Sequence, residues 1–179
     1  MKTLLESERL YFRNIVSEDC EEMFLLNADW DVLKYTGDIV FHTIKEARDF
    51  YEAYQHNTYE KFGYGRMTTI LKETDEVIGW CGMKYHPEEN EVDLGFRFHK
   101  RFWNKGYGTE ASLACLQYAH DELKLNEVVA FALEENKGSC RVLEKVGFDY
   151  LGQAKRYESM WRHYSINLPL DNNSLLHKK

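Results

Sequence analysis

Residues 91–111 read EVDLGFRFHKRFWNKGYGTEA, and the fold is decided in this stretch. Val92, Leu94, Phe96 and Phe98 alternate with Asp93, Gly95 and Arg97, the period of a strand with one apolar and one polar face. Gly106 and Gly108 follow, and then Ala111, Ala114, Cys115, Tyr118 and Ala119 recur at helical spacing, which predicts a helix from about Thr109. A helix N-terminus carries unpaired N–H groups and the positive end of the helix dipole, and bare glycine backbone beside it lets a phosphate approach. Strand, loop, glycine turn and helix together predict an anion cradle.

The elements on either side predict a mixed sheet of α/β (α+β) class. Upstream, Glu8–Asn14 alternates as a strand, and Ser17 is placed to cap a helix ending near Asn27. The segment from Ala28 to His42 has no clean period but carries Trp30, Tyr35 and Phe41; Thr43 and Glu46 then form a capping-box pair for a second helix. Arg66–Lys72 and Val77–His86 read as a hairpin, with Gly79 and Gly82 marking a bulge or a close backbone approach. Downstream, the central helix closes near Leu123 with Asn126 as a left-handed cap, and Val128–Leu133 is apolar enough for a strand buried on both faces. Strand, crossover helix and strand predict a parallel pair. Asn136 caps a short helix that ends at Gly147, with Phe148 packing back on Leu143, and two antiparallel strands fill Phe148–Leu168.

Bulk properties bound the function. With 179 residues, 44% hydrophobic and 30% charged, the chain suits one domain over 1–170, followed by a flexible tail DNNSLLHKK from Asp171. No window holds 18 consecutive apolar residues, and Glu6, Glu8 and Arg9 fall where a signal peptide needs its apolar centre, so a cytoplasmic protein with no membrane partner is expected. Cys20, Cys81, Cys115 and Cys140 are too scattered for a disulfide frame or a zinc site, and His42, His99 and His163 have no partner at triad or metal spacing; no metal is expected. The net charge of −7 argues against nucleic acid and permits a cationic partner.

Three glycine-loop readings compete for the cradle. A P-loop is excluded, because no G-K-[ST] follows the glycines. The run from Gly106 to Ala111 does match the dinucleotide pattern G-x-G-x-x-A, but seven residues, His99 to Lys105, separate strand from first glycine where that fold turns directly into its helix. The third reading comes from the combination of RFWNKGYGTEA (101–111), NKGS (136–139) and LEKVGF (143–148). In that order these segments resemble the GNAT superfamily of acyl-CoA-dependent N-acetyltransferases, and more narrowly the ribosomal-protein N-terminal acetyltransferases of RimJ/RimL type.

The resemblance implies a single GNAT-like domain: a mostly antiparallel twisted sheet, with a parallel pair splayed open at the acetyl-CoA site, flanked by about four helices. Carried onto this chain, it implies that the backbone of Phe96, Arg97 and Phe98 pairs with the pantetheine amides. Asn104, Lys105, Gly106, Tyr107, Gly108 and Thr109 would surround the pyrophosphate, with Asn136 and Ser139 beside the pantetheine and thioester. Many members carry a tyrosine where this chain has Leu143; the RimJ/RimL branch has the serine instead.

Acyl transfer needs a neutral amine, an oxyanion site and a proton for the departing thiolate. An α-amino group titrates at roughly 8 and a lysine at roughly 10.4, so the second needs more help from a base. Asp93, acting through a water where family members often carry a glutamate, is the first candidate base, and Glu91 the second. The opposing reading makes Asp93 an ion-pair partner of a neighbour such as Arg97. A backbone N–H near Phe96 or Arg97 serves the oxyanion, and Ser139 either protonates the thiolate or only completes a helix end. The acceptor site is expected from Trp30, Tyr35, Tyr64, Trp80, Tyr157 and Trp161. The expected activity is acetyl transfer from acetyl-CoA to a primary amine (a protein N-terminus, a polyamine or another small amine) by direct attack in a ternary complex, in a monomer or homodimer. The alternative is a non-catalytic acyl-CoA-binding module.

Overall fold

The computed structural model describes residues 2–37, 39–156 and 159–170. Among these residues eight strands form one sheet in the order β1 (Leu5–Glu6), β2 (Leu10–Asn14), β3 (Arg66–Leu71), β4 (Glu76–His86), β5 (Glu91–Phe98), β6 (Glu127–Ala132), β8 (Ser159–Asn167), β7 (Asp149–Arg156). Every neighbouring pair is antiparallel except β5 and β6. Five α-helices flank the sheet among the described residues: α1 (Cys20–Ala28), α2 (Trp30–Leu33), α3 (Ile44–Tyr54), α4 (Tyr107–Asp121) and α5 (Lys137–Lys145). The expected tail from Asp171 lies outside the described residues.

The sheet buries both faces. Leu10, Phe12, Ile78, Leu94 and Phe98 meet Ala111, Cys115 and Leu116 of α4 and Leu143 of α5 in one core. Cys20, Met23 and Leu26 of α1 and Ala47 and Tyr51 of α3 form a second core, against which Val77 and Trp80 of β4 pack. The polar face of β5 is therefore not a solvent face: Asp93 and Arg97 are both buried.

Caps explain where most helices start, with some departures from expectation. Thr43 Oγ1 accepts the Glu46 N–H at 3.2 Å, while Glu46 reaches past Thr43 to the His42 N–H at 2.9 Å. Ser17 is not a cap; the buried Asp19 instead accepts the Val16 N–H at 3.0 Å and holds Arg13 at 2.6 Å. Helix α4 begins two residues earlier than its apolar period indicates, because Gly106, at φ +84°, supplies the turn. The left-handed residue after α4 is Lys124, not Asn126. Gly79 and Gly82 do mark close approach: a Cβ on Gly79 would lie 2.0 Å from the Arg97 carbonyl oxygen, and one on Gly82 would lie 2.7 Å from that of Gly65. The register of β3 against β4 shifts beside Gly79.

Candidate active site

The site is a gap in the sheet. β4 pairs with β5 from Gly79 opposite Phe98 to His86 opposite Glu91, but β5 and β6 share a single residue pair, Asp93 opposite Val129. The His99 N–H donates to Ile78 of β4 at 3.0 Å, and alternate residues of a strand turn their backbone groups to opposite edges. Phe96 and Phe98 therefore face the gap, whereas Arg97 faces β4, where its carbonyl crowds Gly79. The Phe98 carbonyl accepts the Trp103 indole N–H at 2.7 Å. Of the three residues expected to pair with pantetheine, Phe96 and the Phe98 N–H are suitably turned, and Arg97 is not. Ala132, Asn136 and Ser139 form the opposite wall.

At the mouth of the gap lies the turn into α4, where Asn104 (φ +59°) and Gly106 (φ +84°) are both left-handed. The first backbone amide held in the helical pattern is that of Glu110, donating to Gly106 at 3.1 Å, so the amides of Tyr107, Gly108 and Thr109 precede the ladder. These amides suit a pyrophosphate, and Lys105, whose ammonium lies over the Phe102 ring at 5.4 Å, precedes the turn. At Gly108 the side chain is not what matters: a Cβ there would meet Val142 Cγ2 of α5 at 3.4 Å, an ordinary contact. Arg9 braces the turn and was not found from the sequence. It donates to the Lys105 carbonyl at 3.1 Å and to Glu110 Oε2 at 2.7 Å, and lies over the Tyr107 ring at 4.4 Å. Burial alone would raise the Glu110 pKa, but the Arg9 N–H, the Ser7 hydroxyl and the Arg9 guanidinium hold it below the usual range.

Asp93 stands where β5 and β6 part. Arg66 Nη2 donates to both of its carboxylate oxygens at 2.9 Å, and His86 Nε2 lies 3.1 Å from Oδ1. Burial would raise the Asp93 pKa, yet the Arg66 charge and the His86 contact overcome it and hold the carboxyl at about 2. Gly95 makes room for the guanidinium, since a Cβ there would lie 2.6 Å from Arg66 Cζ. So engaged, Asp93 is a poor proton acceptor near neutral pH. Its partner is Arg66, not Arg97; Arg97 donates to Asn27 and lies over Trp80 at 5.1 Å. Glu91 points elsewhere, with Oε2 3.8 Å from Arg156 Nη2. His86 lines the cleft and was overlooked in sequence because it closes a strand at a hairpin turn. The register supplies the missing signal: Lys84 is opposite Asp93, so His86 is its diagonal neighbour on the same face.

The other expected residues divide. Tyr35, Trp80 and Trp161 line the cleft together with Asn136 and Ser139. Trp30 is 71% exposed on α2 and takes no part in the lining. Tyr64 packs against the main core instead, and Tyr157 lies outside the described residues. Asn136 Oδ1 accepts the Ser139 N–H at 3.1 Å, which fixes Ser139 in the first turn of α5. Cys140 beside it is buried, its thiol directed at the Leu133 carbonyl, and all four cysteines are free and buried. A larger depression between β1 and α4, about 570 Å³, is bordered by Ser7 and Glu110 and holds none of the expected site residues.

Known proteins resemble this chain in sequence and fold. The model for the acetyltransferase (GNAT) domain matches residues 9–149. The chain is 32% identical over 159 residues to the uncharacterized N-acetyltransferase p20 of Bacillus licheniformis, covering 88% of each. It superposes on the crystal structure of a GNAT-family acetyltransferase from Bacillus anthracis with a TM-score of 0.77 and 28% identity, over 91% of this chain and 97% of that one. A spermidine N-acetyltransferase from Vibrio cholerae, solved with CoA and spermine, shares the fold at a TM-score of 0.74 and 15% identity, over 94% of this chain and 99% of that one. Among the described residues no helix is long and apolar enough to cross a membrane. The chain belongs to the GNAT family of acetyltransferases.

Proposed function

We propose that this acetyltransferase moves acetyl from acetyl-CoA to a primary amine by direct attack within a ternary complex. The observation that carries the reading is the gap between β5 and β6, with backbone facing inward at Phe96 and the left-handed turn at Gly106 at its mouth. The amides at the start of α4 and Lys105 would hold the pyrophosphate, Phe96 would pair with the pantetheine arm, and Asn136 and Ser139 would flank it. Acetyl-CoA, when bound, would supply the acetyl group as a thioester, with the CoA thiolate as leaving group. Everything else falls to the chain.

His86 is our proton acceptor for the amine. Its Nε2 lies 3.1 Å from the Asp93 carboxylate, and Nδ1 is the ring nitrogen assigned to the amine. Asp93 then orients His86 as a positioning residue and does not itself take the proton. Ser139, set by the Asn136 cap, is the donor to the departing thiolate. The presence of Ser139, with Leu143 in place of the tyrosine of other members, supports the RimJ/RimL branch. Four free, buried thiols suit a reducing compartment and so a cytoplasmic enzyme.

Release of free CoA thiol from acetyl-CoA in the presence of a panel of primary amines tests the reading. Turnover with at least one amine is expected. Tight CoA binding without release for any amine would favour the non-catalytic acyl-CoA-binding module.

A further inference from the structure

The charge on the cleft runs against the charge on the chain. The chain carries −7, yet Arg66, Lys84, Arg97 and Arg156 line the cleft, with Asp93 as the carboxylate among its described lining residues. Asp93 is already neutralised by Arg66 at 2.9 Å. Among the described lining residues, basic side chains therefore outnumber carboxylates.

Arg156 is the cation whose hydrogen bonding is incomplete. Its side chain is 14% exposed, and Nη2 is buried with no hydrogen-bond partner among the described residues. Glu89 Oε1 and Glu91 Oε2 both stand 3.8 Å away, close enough to feel the charge and too far for a hydrogen bond. The guanidinium lies over the Phe131 ring at 3.7 Å, and Phe131 stacks on His163 with centroids 4.7 Å apart. Stacking holds the planar fork in one orientation. A buried N–H without an acceptor is unfavourable, and a ligand carboxylate supplies the missing one.

We propose that the acceptor is a primary amine bearing a carboxylate a few bonds from its nitrogen, and that Arg156 reads the carboxylate. The inference rests on amine acetylation in the same cleft and narrows its substrate class. It also disfavours polyamines, because Asp93, the carboxylate among the described lining residues, is already engaged by Arg66.

The test is a matched pair, an α-amino acid and its amide, with spermidine as the polycation, each assayed with acetyl-CoA. Arg156→Gln should lower kcat/KM for the acid about 10- to 100-fold, chiefly through KM, the loss of one charged hydrogen-bond partner. The amide should change little, and Arg156→Lys should recover part of the loss. Equal losses for acid and amide, or a wild-type preference for spermidine, would overturn the proposal. Failure of every amine to release CoA thiol would count against acetyl transfer instead, so a second probe is independent of turnover. Millimolar succinate should raise the Tm of the wild-type protein saturated with CoA and leave that of Arg156→Gln unmoved; the same shift in both would overturn the proposal.

Discussion

Replacing Asp93 by asparagine tests the corner where the sheet opens. Asp93 is 9% exposed, and its carboxylate faces the Arg66 guanidinium, which is also largely buried. The substitution keeps the shape and removes the charge, so Arg66 is left buried without its counter-ion. Breaking such a pair costs about 3–5 kcal/mol, which for a chain of this size lowers Tm by about 10 °C. A smaller part of the loss is visible in the wild type through pH. The carboxyl titrates at about 2 in the folded protein against 3.8 in a free chain, a difference worth about 2 kcal/mol. Because the folded value is the lower one, that stability is present above pH 4 and disappears as pH falls from about 4 to about 2. Urea unfolding of both proteins at pH 7, 4, 3 and 2 is the assay, and their difference isolates Asp93 from other carboxylates. The difference should be largest at pH 7 and shrink by about 2 kcal/mol at the acid end. Replacing both partners with apolar residues, Asp93→Leu with Arg66→Met, should recover most of the loss. A difference below about 0.5 kcal/mol at pH 7, or one that does not change with pH, would refute the account.

Three further outcomes are expected. Gly106→Ala forces a side chain into φ +84° and should cost about 1–2 kcal/mol in unfolding and weaken CoA in a titration, whereas Gly108→Ala, with a Cβ at ordinary contact distance, should do neither. Equal effects at the two glycines would mean that the turn does not control the cofactor. Gly79→Ala places Cβ 2.0 Å from the Arg97 carbonyl and should lower Tm more than either; an unchanged melting curve would exclude the close approach of β4 and β5. His86→Gln should reduce turnover about 10²- to 10⁴-fold near neutral pH and less as pH rises past the acceptor's own pKa, with CoA affinity unchanged. A deficit that is constant across pH would leave His86 without a role in proton transfer.

The strand at 91–98, the buried strand after α4 and the cap at Asn136 were legible because each depends on neighbours within a few residues. Period 2 exposes a strand, and an asparagine before an apolar stripe exposes a cap. The start of α4 was misplaced because an apolar period reports where packing begins, while the helix itself begins where the backbone turns, at Gly106. Trp30 and Tyr64 are expected at the acceptor wall because they lie in variable connecting segments, 30–42 and 61–65. Nothing local separates an aromatic that lines a cleft from one left on the surface or folded into the core.

Local order determined the strand, the glycine turn, the helix and the family to which their sequence belongs. Tertiary structure decided what the polar residues do. A strand's alternation says that Asp93 and Arg97 share a face, but it cannot say that both are buried there and that each therefore needs a partner. Arg66 reaches Asp93 from 27 positions away, His86 arrives through the hairpin register, and Arg156 comes from a strand on the far side of β6. Charges select partners by distance in space, under a burial that only the packed sheet creates. The acidic chain thus gathers Arg66, Lys84, Arg97 and Arg156 along its cleft, a placement that composition, being an average over the whole chain, has no means to record.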